Sequence, residues 1–223
     1  MKQDVRLLFG PLAAVILALG IVGLATMVPG YSQVRQTVSE IGEIGSPARV
    51  PFAIMLCAVG ACLLVFAWGV RGRAIEAGHN TLVAYFIAFG AVPAVGIGVF
   101  AYPHPLHNFF GLSELVNYQA PLVFALTWRG DAAARNLVRV SWIMFALVWC
   151  AIGVNLVSFD RHGALWEALR PVYGLAQRSL FAAWFGWCAI VGLMLFQANG
   201  LTIADSGTAL GAPAPPAFTQ PDG

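Results

Sequence analysis

The run Pro103-His104-Pro105-Leu106-His107-Asn108, continued as Phe109-Phe110-Gly111-Leu112-Ser113-Glu114-Leu115-Val116-Asn117-Tyr118, concentrates proton-handling side chains in a short stretch. On a helix starting near Leu106, His107, Gly111, Glu114 and Tyr118 fall at i, i+4, i+7 and i+11, on one face. An imidazole and a carboxyl held in apolar surroundings are the groups that general acid–base catalysis uses. Glu114 and His107 are therefore the candidate catalytic pair, with His107 the expected local partner of Glu114.

A second polar set precedes the last apolar stretch: Arg170, Tyr173, Gln177 and Arg178. An arginine here is expected to pair with Glu114, or with Glu40 or Glu43 from the loop after the first stretch. Asn155 and Ser158 add hydrogen-bonding groups. The candidate binding set is Tyr31, Ser39, Glu40, His104, Tyr118, Asn155, Arg170, Tyr173, Gln177 and Arg178. Plainer roles stand beside these. His107 and Glu114 would serve equally as an interhelical hydrogen bond, His104 as an interfacial loop residue, and Glu40 and Glu43 as part of a solvated loop or short interfacial helix.

His104, His107 and Glu114, with His162, are the residue types that hold zinc with one position left for water. No HExxH motif or helical HxxxH pair is present, so the expectation is no metal and no cofactor. No histidine lies deep in an apolar stretch, which argues against haem. A serine nucleophile is conceivable from Ser32, Ser39 or Ser113 beside a histidine, without a GxSxG turn. A net charge of +2 with no basic stripe excludes a nucleic-acid partner.

The elements that must position these groups are six apolar stretches of about 20 residues, each long enough to cross a hydrocarbon core about 30 Å thick. They run approximately Leu7–Val28, Pro51–Val70, Thr81–Tyr102, Asn108–Trp128, Leu137–Phe159 and Leu175–Gln197. The chain is 59% apolar and 10% charged, against about 25% charged in ordinary soluble domains. Backbone groups in lipid must bond within their own segment, and the runs do not alternate as barrel strands do. An all-α membrane protein follows: a bundle of six transmembrane helices. Lys2 and Arg6 ahead of the first stretch resemble a signal peptide's start, but that stretch is too long and others follow it. Cys57, Cys62, Cys150 and Cys188 all lie inside stretches without CxxC spacing, so packing thiols are expected rather than disulfides.

With the N-terminus inside, the inner segments hold Lys2, Arg6, Arg71, Arg73, Arg129, Arg135 and Arg139, and the outer loops hold Arg35, Arg49, Arg161, Arg170 and Arg178. Seven against five, with two tight basic inner connectors, gives an N-in, C-in topology in the cell inner (plasma) membrane. Residues 1–197 form the membrane domain. Residues 198–223 read as a disordered Pro/Ala/Gly-rich tail, with no lysine or arginine to order it. No motif is shared between the first three stretches and the last three, so an inverted-repeat transporter has no support from sequence.

Three short motifs resemble the bacterial and archaeal domain-of-unknown-function family 998. They are Tyr31-Ser32 through Ser39-Glu40-Ile41-Gly42, Gly98-Val99-Phe100 ahead of a proline and a histidine, and Tyr173-Gly174-Leu175-Ala176-Gln177-Arg178. The family's usual Phe-Pro after the third span is here Phe100-Ala101-Tyr102-Pro103. The resemblance spans about residues 6–197 and implies a six-helix fold and a membrane location, but no reaction. The expected role is a polar outer-leaflet pocket that binds or moves a lipid or small amphiphile, or supports an unidentified membrane partner. The alternative is an intramembrane enzyme acting on a lipid or isoprenoid head group by acid/base or metal-assisted chemistry.

Overall fold

The computed structural model describes residues 4–209, with side chains as far as residue 198. Every element among them is helical. The Asp4 carboxylate opens the chain by accepting the Arg6 backbone N–H at 3.1 Å and its guanidinium at 2.7 Å. One tight turn, Val5–Leu8, leads into α1 (Phe9–Ala25). Then follow α2 (Arg49–Glu76), α3 (Leu82–Phe89), α4 (Ala91–Val99), α5 (Pro105–Asn117), α6 (Ala120–Thr127), α7 (Arg135–Leu156), the short α8 (Ala164–Leu169) and α9 (Tyr173–Ala209).

These elements close into a ring. α1 packs on α2, α2 on α3 and α4, α4 on α5, α6 on α7, α7 on α9, and α9 back on α1. Large side chains fill the centre, led by Trp184, Trp187, Phe66 and Phe124, each at most 1% exposed. The outer surface is apolar as well: Leu19, Ile54, Trp68 and Ile143 are each at least 60% exposed. A helix with no polar face belongs in a nonpolar solvent. Five helical segments are long and apolar enough to cross a membrane: Val5–Ala25, Arg49–Glu76, Leu82–Val99, Arg135–Phe159 and Ala164–Ala198.

The segment expected as one fourth span, Asn108–Trp128, is instead two helices, α5 and α6, with a turn at Tyr118 and Gln119. Proline explains the break. Pro121 has no N–H to offer the carbonyl four residues back, that of Asn117. That carbonyl accepts the buried indole N–H of Trp184 at 2.9 Å instead. Pro93 likewise withholds an N–H from the carbonyl of Phe89, and α3 passes to α4 at Gly90. The Asn117 side chain packs there, and a Cβ added at Gly90 would lie 3.4 Å from it. The two interruptions therefore meet inside the ring.

Small residues set the closest crossing. A Cβ on Gly10 would lie 2.6 Å from the Cys188 carbonyl, and one on Gly192 would lie 2.5 Å from the Leu7 carbonyl, so α1 and α9 touch backbone to backbone. A second buried indole, Trp187, donates to Ser141 Oγ at 2.9 Å and fastens α9 to α7. At the end of the bundle holding the α2–α3 and α6–α7 loops, His79 Nε2 meets Asp131 Oδ2 at 3.0 Å while its ring lies 4.2 Å from that of Trp128. The four cysteines lie within helices and are unbridged. The last helix continues to Ala209, and residues 210–223 of the expected tail lie outside the described residues.

Two outcomes follow. Replacing Trp184 with Phe keeps the bulk but strands the Asn117 carbonyl, and is expected to lower unfolding stability by about 1–3 kcal/mol in a denaturant titration in detergent. The hydrogen bond from His79, and secondarily one from the Ala133 backbone, hold the Asp131 carboxyl below its ordinary value. A group whose pKa is depressed on folding stabilises above its unfolded pKa, and that contribution is lost as pH falls through the folded value. The stability gap between the wild type and Asp131→Asn should therefore shrink as pH drops below about 4. A pH series of the same titration measures it.

Candidate functional site

The site is built from the loop between α1 and α2 downward. Tyr31 donates its hydroxyl to the Thr37 carbonyl at 2.6 Å, drawing the loop into a closed turn. The Gln36 side chain accepts from the Ser32 N–H at 2.8 Å and donates to Glu40 Oε2 at 2.9 Å. Glu40 Oε1 accepts from the Thr37 N–H at 2.9 Å and from its hydroxyl at 2.8 Å. This reciprocal capping starts one tight helical turn, Val38–Gly42.

The first turns of α9 hold that loop in place. Arg178 donates to the Gln36 carbonyl at 2.9 Å and to the Tyr31 hydroxyl at 2.7 Å, with its guanidinium 5.8 Å from the Tyr31 ring centre. Gln177 Oε1 accepts the Val38 N–H at 2.6 Å. Gly174 leaves room for the loop backbone: a Cβ there would lie 2.4 Å from the Gln36 carbonyl oxygen and 2.5 Å from that of Gln33. The loop thus forms a roof across one end of the ring, bolted to α9 by side chains of the Tyr173–Arg178 motif.

Under the roof is a cavity of about 450 Å³. Its floor is apolar, with Leu17, Phe52, Val59 and Ile152. Its polar lining includes Ser39 from the roof, His107 and Glu114 from α5, Tyr118 from the turn after it, Asn155 from α7, and Tyr173 and Gln177 from α9. Leu112 and Leu115 of α5 and Phe159 beyond α7 line it too, with Leu112 54% and Phe159 74% exposed, so the cavity opens on the side of the ring past largely apolar side chains, beside exposed Asn108. Arg161 also lines it, its guanidinium 5.7 Å from the Trp166 ring centre. Asn155 ties α7 to α9 by donating to the Ala176 carbonyl at 3.0 Å, and its own carbonyl accepts from the Tyr173 hydroxyl at 3.2 Å.

His107 is 5% exposed and held from both ring nitrogens. Nδ1 lies 2.9 Å from the Phe100 carbonyl and Nε2 lies 3.0 Å from Ser39 Oγ. A carbonyl only accepts, so Nδ1 carries a proton, and in the neutral ring Nε2 then accepts from the serine hydroxyl.

The partner expected for Glu114 is different: its hydrogen bond comes from the Tyr118 hydroxyl one turn on, not from His107. A spacing of seven residues is about 10 Å along a helix, beyond hydrogen-bond reach. Among the described residues no arginine pairs with Glu114, Glu40 or Glu43. Arg178 is held by neutral oxygens, and Arg170 pairs on the surface with Glu167 at 3.4 Å. Tyr31, Glu40 and Arg178 build the roof without lining the cavity, and His104 is an exposed cap whose Nδ1 accepts the Leu106 N–H at 3.1 Å. Among the described residues no three His, Cys, Asp or Glu side chains gather into a metal-sized group, so His104, His107 and Glu114 do not form a ligand set.

Sequence reasoning missed Arg161 as a wall residue, and missed the Phe100 carbonyl because no side-chain pattern marks a backbone acceptor. Gly174→Ala should push the loop off α9 while leaving the ring intact. Hydrogen exchange at residues 31–42 is expected to quicken, with helix content by circular dichroism unchanged.

No curated protein and no solved structure matches the chain. A family model does, over residues 11–194, a stretch that takes in the roof, the cavity and all three motifs noted in the sequence. The chain belongs to the family described as Protein of unknown function, DUF998.

Proposed function

We propose that this protein binds a lipid or small amphiphile in the roofed cavity, taking it in sideways between α5 and the end of α7. The observation that carries the reading is the cavity's two-sided chemistry: an apolar floor and mouth, with a polar upper wall. At about 450 Å³ it falls within the ordinary range of small-molecule sites, about 300–1,000 Å³. That volume suits a polar head group and the first part of a chain, with the rest trailing through the mouth. Glu114 and Tyr118 offer such a head group a carboxyl and a hydroxyl well inside the site. Tyr173, Asn155 and Gln177 offer further polar contacts near the roof.

The proposed setting is the plasma membrane, crossed six times, with α5 and α6 together forming a broken fourth crossing. The N- and C-termini lie inside and the roof faces the extracytoplasmic side. The basic residues at the α2–α3 and α6–α7 connectors support that orientation. Reporters fused after Gly78 and after Ala132 should both read as cytoplasmic, and an extracytoplasmic signal from both would invert the topology.

Gly111 provides the test of the cavity. It lines the space, and a Cβ added to it meets no atom within 4 Å, so a larger side chain enters the cavity rather than the bundle. Gly111→Phe is expected to cut cross-linking of a photoactivatable phospholipid by about tenfold, a loss near 1.4 kcal/mol in binding, without changing the melting temperature. Undiminished cross-linking at a filled cavity would sink the reading.

A further inference from the structure

The hydrogen bonds of His107 carry a consequence beyond binding. Ser39 Oγ, His107 Nε2, His107 Nδ1 and the Phe100 carbonyl form a relay, with steps of 3.0 and 2.9 Å. The carbonyl fixes the tautomer, so the ring presents a lone pair, not a proton, to the serine hydroxyl. That is the arrangement of an activated nucleophile, in which a base accepts the nucleophile's proton and a third group orients the base. Both side chains line the cavity, and Ser39 is partly open to it while His107 is buried behind.

A third group completes the geometry. Gln177 also lines the cavity, and its Oε1 is fixed on the N–H of Val38, the residue before the serine. With that oxygen engaged on the residue before Ser39, its Nε2 amide is left as a donor with no hydrogen-bond partner among the described residues. Oxyanion stabilisation requires a fixed donor of this kind.

We infer that Ser39 and His107 form a catalytic dyad for acyl transfer from a carboxylic ester of the amphiphile held in the cavity, with Gln177 Nε2 as oxyanion donor. The inference rests on the cavity being an amphiphile site. Ser39 Oγ attacks the ester carbonyl carbon, forming an O–C bond as its proton passes to His107 Nε2. Collapse of the tetrahedral intermediate breaks the bond to the alcohol oxygen, which leaves with that proton. The acyl-serine is then hydrolysed: water adds to the carbonyl as His107 takes its proton. The acyl–Oγ bond breaks, and Oγ recovers a proton from Nε2 as the carboxylic acid leaves. Water is the only co-reactant, and no oxidant or metal is needed.

A plain structural role for the same bonds, holding the roof to α5, makes a different forecast. The test is the full-length protein in detergent with a fluorophosphonate bearing a long alkyl chain. Its phosphorus bonds to an activated serine oxygen and expels fluoride. The dyad requires an adduct on the tryptic peptide Gln36–Arg49 that fragment spectra assign to Ser39 rather than Ser46. It also requires that adduct to vanish in Ser39→Ala, and labelling to slow by about 100-fold or more in His107→Gln. Ser39→Ala removes only one oxygen and leaves His107 Nε2 without its donor, so it is expected to elute as the wild type does with a modestly lower melting temperature. If His107→Gln does not fold, the wild-type adduct and its loss in Ser39→Ala decide alone. Absence of a Ser39 adduct at saturating probe overturns the dyad. If the photoactivatable phospholipid still cross-links to that unlabelled protein, the cavity stands as an amphiphile site and only the chemistry is lost. If it does not, the binding reading falls as well.

Discussion

Hydrocarbon offers no hydrogen-bond partner, and that constraint shapes everything from the ring to the site. A backbone carbonyl freed inside such a bundle must be met by another part of the protein. The two proline-linked interruptions obey it by facing inward and toward each other, where Trp184 satisfies the carbonyl that Pro121 leaves open. The same rule governs His107. A buried imidazole carries one donor and one acceptor, and both are matched, to Phe100 and to Ser39. The broken fourth segment is thus held by named partners, and the break turns α5 away from the line of α6. α5 rests on α4 while α6 rests on α7, and the cavity occupies the space left between α5 and α7.

The roof answers the same constraint by other means. Its loop buries Val38 and Ile41 in the core, and polar bonds to α5 and α9 fix the rest of it. The Arg178 guanidinium and the Gln177 amide reach across it from α9, and Gly174 lets its backbone approach. The three sequence motifs, far apart along the chain, become neighbours at one end of the ring. Tyr31 and Ser39 come from the first, the Phe100 carbonyl from the second, and Gly174, Gln177 and Arg178 from the third. Each contributes a contact that orders the serine, its histidine or the roof above them.

Much of the fold was legible because lipid-facing helices advertise themselves by length and apolarity, and five of the six expected stretches are long continuous or nearly continuous helices. The break in Asn108–Trp128 was legible in principle from Pro121, since the carbonyl four residues back has to look elsewhere. Which residue would answer it was not, because Trp184 lies 67 residues away in sequence. The site divides in the same way. Helical phase placed Glu114 and Tyr118 on one face, and the two bond one turn apart. It also suggested a meeting of Glu114 with His107, which the rise per residue forbids. The contact between Ser39 and His107 spans 68 residues and is made by the loop's own folding, which no periodicity records.

The apolar mouth bordered by Leu112, Leu115 and Phe159 has a consequence for what the cavity can sample. On the proposed reading, a molecule passing between those side chains would arrive already dissolved in the leaflet, so the quantity that fills the site would be a mole fraction among neighbouring lipids and not an aqueous concentration. Molecules confined to a thin sheet are crowded relative to the same number spread through water. A site fed this way can exchange its occupant rapidly and still remain mostly filled. On the same reading, soluble compounds of the same volume would be turned away by phase rather than by size.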